Sequence, residues 1–410
     1  MRVKELKLHN FRGIKDLHLV FNTEHNIVVL AGVNGVGKSS ILDCTNLLIK
    51  HYDKICYLDF GNFEIYKPPL VLIPSSSIRV GNQHTANQIQ VNFGMQDIKW
   101  EIDESTTYSF QSSRLAKYQR LSEEIRKVTA SRVGYSYFYF LADRRVINSR
   151  EIWTNELEYI INFEIFSKWF KETEDLENER RLTGNNTQYR HPILEVIRRS
   201  IYSLLGEGYD SLKFKRDIDK LTIKKSDREI AVDLLSDGEK SLLAMVGHLS
   251  RKLAEYNEDL ENPLEASALI LIDEIELHLH PAWQRMIIPR LTQTFPNCQF
   301  IVTTHSPQVL SHVDPECIHI LDYDGDNVVV KRPDSSYGLD SNRILEDILG
   351  VSKRPQEIQD RMSELFRTIN NNDLEGAKEI VRELGDKIGI SEPELVKAEA
   401  TIKRREIIGR

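Results

Sequence analysis

The stretch that most constrains this chain is Leu30-Ala31-Gly32-Val33-Asn34-Gly35-Val36-Gly37-Lys38-Ser39-Ser40. It fits G-x-x-x-x-G-K-[ST], with Gly32, Gly37, Lys38 and Ser39 in the fixed places. An apolar β-branched run, Asn26 to Leu30, precedes it, and a helix-like run, Ile41 to Ile49, follows. Strand, glycine loop and helix is the setting in which this motif holds phosphate. Glycines let backbone N–H groups turn inward, and the helix N-terminus adds partial positive charge. Asn34, Gly35, Gly37, Lys38, Ser39 and Ser40 are therefore the candidate nucleotide contacts. Lys38 is expected on the β/γ-phosphates and the Ser39 hydroxyl on Mg²⁺, so ATP and Mg²⁺ are the expected ligands.

Three later stretches narrow the chemistry. Ala268-Leu269-Ile270-Leu271-Ile272-Asp273-Glu274 reads as a buried strand ending in two carboxylates. Asp273 suits Mg²⁺, directly or through water, and Glu274 suits general-base work on an attacking water. Ile301-Val302-Thr303-Thr304-His305-Ser306-Pro307 is another apolar strand ending in a histidine. One helix, Pro281 to Thr294, separates the two strands, and a right-handed crossover would put His305 beside the glycine-loop strand. Finally, in Leu235-Ser236-Asp237-Gly238-Glu239-Lys240, Ser236 and Gly238 precede a clear helix with a carboxylate in its first turn. Alone, that stretch is a helix cap.

At 410 residues, two domains or one domain with insertions is expected. A net charge of −8 argues against avid DNA binding by the whole surface, though not against a local basic groove. Cys44, Cys56, Cys298 and Cys317 lack metal or disulfide spacing. No stretch approaches the roughly 18 apolar residues of a membrane span, and no signal peptide is seen, so a cytoplasmic protein without membrane contact is expected.

Residues 3–20 alternate as two strands around the turn Asn10-Phe11-Arg12-Gly13, and 68–111 are again strand-like, including Leu70 to Ile73. Residues 114–129 read as a basic helix, with Arg114, Lys117, Arg120, Arg126 and Lys127, followed by an aromatic strand at 135–140. Residues 150–205 read as a helical insertion interrupted by a charged turn at 172–181 and then Gly184-Asn185-Asn186, without a sustained heptad. Residues 209–232 alternate with Lys213, Lys215, Arg216, Lys220, Lys224 and Lys225 between: a solvated basic face, or a surface for phosphate backbone. Past Pro333 and Gly338 the pattern becomes helical at 342–349, 355–370, 373–388 and 392–407. The division expected is a head at 1–338 and a helical extension at 339–410.

In this order, glycine loop, long interval, Ser236–Gly238 helix start, carboxylate strand and histidine strand, the chain resembles the SMC/RecF branch of the ABC-type ATPases. Leu6-Lys7-Leu8-His9-Asn10-Phe11-Arg12-Gly13 and Asp273-Glu274-Ile275-Glu276-Leu277-His278-Leu279-His280-Pro281 are similar to that branch as well. The resemblance covers roughly residues 1–330 and implies an α/β fold. Its head would be a mostly parallel sheet flanked by helices, with an antiparallel β subdomain. It implies an ATP-hydrolysing homodimer, assembling further into a higher oligomer, in which two heads sandwich two ATP molecules. Ser236, Gly238 and Glu239 of one head would then face the γ-phosphate held by the other. Glu276 to Pro281 would form a loop across that interface, His305 would sense the γ-phosphate, and Arg12 would touch the nucleotide. Asp143 and Arg144 are the nearest counterparts of the family's Q-loop.

Without a coiled-coil arm, the chain is similar to the compact ATPase subunits of bacterial anti-phage systems of the Septu (PtuA-like) and PARIS kind. That implies a sensor or scaffold holding a separate effector, an HNH nuclease or a toxin, with the C-terminal helices as docking surface. The rival is a RecF-like repair ATPase that clamps DNA through the basic segments. A transporter cassette is set aside because the Leu-His-Leu-His-Pro stretch is foreign to it. His278 and His280 form an H-x-H pair without a nearby third ligand. Asp322, Asp324 and Asp326 surround an Asp-Gly hairpin signal, and only a short helical stretch follows, so an intrinsic nuclease is rejected.

Overall fold

The computed structural model describes residues 1–57, 75–93, 97–105, 136–142, 145–148, 159–160 and 163–408. β1 (Arg2–Phe11) and β2 (Ile14–Val20) form an antiparallel hairpin, its turn made by Asn10 and Arg12 at positive φ. β3 (Ile27–Ala31), the glycine loop and α1 (Lys38–Tyr57) follow. β4 (His84–Asn92) and β5 (Asp97–Ser105) complete a four-stranded antiparallel sheet in the order β2-β1-β4-β5. Its alternating residues Leu6, Leu8, Ile89 and Trp100 are buried in one core with α1, and the Trp100 indole donates to the Leu48 carbonyl at 2.9 Å. The segment Leu70 to Ile73, the basic helix at 114–129 and the pair Asp143–Arg144 lie outside the described residues.

β6 (Ser136–Phe140), β7 (Arg145–Asn148) and β8 (Tyr159–Ile160) run to one edge of an eight-stranded sheet. Then come α2 (Phe163–Thr183), α3 (Pro192–Leu205) and a meander of β9 (Tyr209–Lys215), β10 (Lys220–Lys225) and β11 (Arg228–Ala231). α4 (Asp237–Tyr256), β12 (Ala268–Ile272), α5 (Pro281–Thr294), β13 (Gln299–Thr304), β14 (Ile318–Asp324) and β15 (Asn327–Lys331) close the head. The large sheet has the order β15-β14-β3-β13-β12-β6-β7-β8. Its middle, β14 through β6, is parallel, and the flanking strands are antiparallel. β12 and β6 are buried at every residue, as strands covered on both faces require. Pairing of Ala31 with Thr304 and of Ile272 with Phe140 brings the C-terminal ends of four strands to one edge, the usual place for a ligand in such sheets.

The helical insertion differs from expectation at its start and its middle. Tyr159–Ile160 is strand, and helix begins at Phe163. The charged run at 172–181 is not a turn, because two of its acids face inward and have a partner. Glu174 and Glu177 are buried on α2, and Arg198 of α3 bridges them at 2.9 and 3.2 Å. The other Glu174 oxygen accepts the Phe214 N–H at 2.9 Å; on Glu177, Oε2 also accepts the His191 N–H at 2.7 Å and Oε1 pairs with Arg181. The break lies at 184–191, at the Gly184-Asn185-Asn186 end of the expected turn.

The chain divides into two compact units, Met1–Ile344 and Leu345–Arg410. In the second, α6 (Gln356–Asn370), α7 (Leu374–Ile388) and α8 (Pro393–Ile408) share a core around Leu365, Leu384 and Ala398. Asp373 caps α7 through the Gly376 N–H. The helix expected at 342–349 is present as an α-helical turn, Ser341–Arg343, continuing as a π-helix at Ile344–Ile348. Among the described residues no helix is long and apolar enough to cross a membrane.

Replacing Arg198 with alanine leaves buried Glu174 without its cation and Glu177 with Arg181 alone, which costs about 3–5 kcal/mol. A melting temperature lower by roughly 5–15 °C at pH 7 is expected. Burial already holds the Glu174 pKa above the ordinary carboxylate value, and losing Arg198 raises it further. Folding then takes up protons, so the deficit should shrink as the scan moves from pH 7 toward pH 5.

Candidate active site

The glycine loop leaves β3 with Gly32, Gly35 and Gly37 all at positive φ, a conformation that L side chains rarely adopt. At Gly32 a Cβ would lie 2.5 Å from the Leu321 carbonyl oxygen of β14, so only glycine fits. Lys38 is buried and folds back over the loop, donating to the carbonyls of Gly32 at 2.8 Å and Val33 at 3.0 Å. Burial holds its pKa below the ordinary lysine value, opposed by the charges of Glu276, Asp273 and Glu274. Asn34 and Ser39 are exposed on the rim, Ser40 is half-buried in the first turn of α1, and the Tyr323 hydroxyl donates to the Gly35 carbonyl at 2.9 Å.

The ends of β12 and β13 meet α1 here. Asp273 is buried, and its Oδ1 accepts the Ser39 hydroxyl at 3.0 Å and the Thr303 hydroxyl at 2.6 Å. The same Thr303 oxygen accepts the Glu274 N–H at 2.7 Å. Glu274 is at φ 47, which turns the chain out of the strand direction immediately after the Asp273 side chain is fixed. Because β13 pairs with β3, Thr304 lies opposite Ala31 and His305 stands at the mouth of the loop. Its backbone N–H and its Nδ1 both meet Glu276 Oε1, at 2.7 and 3.1 Å.

The structure thus gathers Asn34, Gly35, Gly37, Lys38, Ser39, Ser40, Asp273, Glu274 and His305 at one sheet edge. Ser236, Gly238 and Glu239 stand at a separate helix start. Ser236 and Glu239 form a reciprocal capping box, with the Ser236 hydroxyl donating to Glu239 at 2.8 Å. Gly238 is buried against the loop after β12, where a Cβ would lie 2.4 Å from the His278 carbonyl oxygen. Arg12 is paired with Asp43 of α1 and lies over the Phe11 ring; Asp43 also accepts the Tyr139 hydroxyl at 2.8 Å. His280 caps α5 through its own ring nitrogen, and among the described residues no cluster of His, Cys, Asp and Glu could hold a metal ion. Asp322 pairs with Lys331 and Asp326 with Arg79 at the β14–β15 hairpin.

Two residues that sequence reasoning passed over hold this arrangement. Thr303 was visible only as a polar residue in an apolar strand, and nothing local says that its hydroxyl links two neighbours. Tyr139 looked like one more aromatic of β6, although Asp43 follows Ser39 by one helical turn.

The family described as "AAA domain, putative AbiEii toxin, Type IV TA system" matches residues 27–311. The chain is 27% identical to the protein named "Retron Ec83 probable ATPase" of Escherichia coli, over 99% of this chain and 87% of that one. It is 28% identical to "Septu protein PtuA" of Bacillus thuringiensis, over 86% of this chain and 85% of that one. A solved structure, "SMC head domain from Thermotoga maritima", aligns over 81% of this chain and 99% of its own, at 16% identity and a TM-score of 0.43.

Replacing Thr303 with valine keeps the shape but removes the hydroxyl that joins Asp273 to the Glu274 N–H. Supporting contacts of this kind are worth about 10- to 100-fold in metal affinity or activity. A magnesium titration of nucleotide hydrolysis should therefore show half-saturation raised by that order, with the far-UV circular dichroism unchanged.

Proposed function

This chain belongs to the AAA-domain family matched over residues 27–311, an ATPase family, and from that premise we propose how its residues divide the work and what the work serves. The observation that carries the reading is the shared hydrogen-bond knot of Ser39, Asp273, Thr303 and Glu274 at the lip of the glycine loop. Lys38 exchanges the Gly32 and Val33 carbonyls for phosphate oxygens. Ser39 and Asp273 hold Mg²⁺, which supplies positive charge against the phosphates. Glu274 takes a proton from the attacking water. His305 meets the γ-phosphate, and Asn34, Gly35, Gly37 and Ser40 bind the remaining phosphate oxygens. Arg12, held by Asp43, touches the nucleotide from the β1–β2 turn.

Ser236, Gly238 and Glu239 act on the nucleotide of a second copy. Supporting this, Ser236 is exposed at the head of a 20-residue helix, whose N-terminal partial charge favours phosphate. ATP then joins two heads, and pairs of heads assemble further. The relative named "Septu protein PtuA" supports a role in anti-phage defence, in which the ATPase state governs a separate effector, an HNH nuclease or a toxin, docked on the C-terminal helices.

The basic meander gives the DNA-clamp reading little to work with. Glu229 lies 3.4 Å from Lys213 and 3.6 Å from Lys215; Lys220 pairs with Asp233 at 2.6 Å and Lys224 with Asp227 at 3.0 Å. Arg216 pairs with Asp175. Most of that face is thus neutralised by its own neighbours.

Glu274→Gln should bind fluorescent ATP normally, lose turnover by about two to four decades, and prolong an ATP-bound dimer seen by light scattering. Unchanged hydrolysis would show that the base is another group. Purified from its native cell with ATP and Mg²⁺, this variant should bring down a stoichiometric nuclease or toxin. DNA without a protein partner would favour the clamp.

A further inference from the structure

Glu276 was expected on a loop reaching toward a second copy, yet its side chain turns into its own head and is 5% exposed. One of its oxygens, Oε1, serves a single residue twice: it accepts the backbone N–H of His305 at 2.7 Å and lies 3.1 Å from the ring Nδ1. The other oxygen, Oε2, is buried and, among the described residues, without a hydrogen-bond partner. A buried carboxylate left half-satisfied is costly, so its retention calls for a reason in the site it serves.

The backbone around His305 is fixed independently. Ser306 donates its hydroxyl to Gln284 Oε1 at 2.7 Å, and Gln284 Nε2 donates to the Leu279 carbonyl at 2.8 Å. The Ser306 N–H is taken by Thr304 Oγ1 at 3.0 Å. What these contacts leave open is the ring: its rotation, and which nitrogen carries the proton. A carboxylate that accepts only at Nδ1 settles both, because it demands a proton there and leaves Nε2 as the free nitrogen on the half-exposed side.

We propose that Glu276 is the positioning residue of His305, fixing the imidazole as the Nδ1–H tautomer so that Nε2 faces the nucleotide. Glu276 acts on the reaction through His305, whose backbone N–H it also accepts. The inference rests on the proposed meeting of His305 with the γ-phosphate, but its first readout does not.

That readout is ¹⁵N NMR of histidine-labelled full-length protein at pH 8, with the His305 signals identified by their loss in His305→Ala. The Nδ1–H form is expected in the wild type and in Glu276→Gln, whose amide oxygen still accepts. Glu276→Ala should release the ring to the Nε2–H form that free imidazole prefers. In ATP turnover, Glu276→Ala should lower kcat by about 10- to 100-fold with KM unchanged, and Glu276→Gln should recover most of it. Placed in the His305→Ala background, Glu276→Ala should cost nothing more. An Nδ1–H ring in Glu276→Ala, or an equal further loss in that background, overturns the proposal. If His305→Ala alone leaves kcat untouched, the γ-phosphate reading of His305 falls, and the tautomer measurement still decides whether Glu276 orients the ring.

Discussion

Asp273 Oδ1 is where three distant parts of the chain become one site. It accepts hydroxyls from Ser39, at the start of α1, and from Thr303, near the end of β13, while its own backbone closes β12. Hydrogen bonds to an ionised acceptor are the stronger kind, and burial of Asp273 strengthens them further. Glu274 inherits its place from this arrangement, because Thr303 that donates to Asp273 also accepts the Glu274 N–H. The start of α1 and the ends of β12 and β13 are therefore tied together at one carboxylate. Their geometry depends on the register between β3, β13 and β12 more than on any single loop.

The helical layer serves that edge from the other direction. α2 can approach α4 only because residue 247 is glycine; a Cβ there would lie 2.3 Å from the Phe166 ring. α2 is in turn fastened to α3 through Glu174, Glu177 and Arg198, and to β9 through the Phe214 N–H. The direction of α4, and with it the Ser236–Gly238 helix start, is thus set by packing and buried charge well away from the nucleotide loop. At its N-terminus α4 meets a second constraint, the His278 carbonyl against Gly238.

How much of this was legible follows from the range of each interaction. The glycine loop, the end of β12 and the end of β13 were readable because each is a buried strand closing in a polar residue, a pattern contained in a few positions. Their meeting was readable from connection rules for parallel sheets. The C-terminal helices were placed closely because Asn370–Asp373 and Ser391–Pro393 are local stops. Thr303 and Glu276 were not legible in their roles, since a hydroxyl or a carboxylate does not announce which distant group it will bond. The charged run of α2 misled for the same reason: high charge reads as exposure, and Glu174 and Glu177 are buried against Arg198 opposite, with Arg181 on Glu177 as well.

The order of the large sheet has a consequence for how the protein is made. β3 ends at Ala31, yet its two neighbours, β13 and β14, begin at Gln299 and Ile318, and the Leu321 carbonyl packed on Gly32 comes later still. A ribosome delivers roughly 5–20 residues per second, so the strand that carries the glycine loop waits on the order of tens of seconds before either flank exists. The antiparallel sheet of β1, β2, β4 and β5 can form early and shelter α1 during that wait. The nucleotide pocket itself can only be finished once nearly the whole head has emerged.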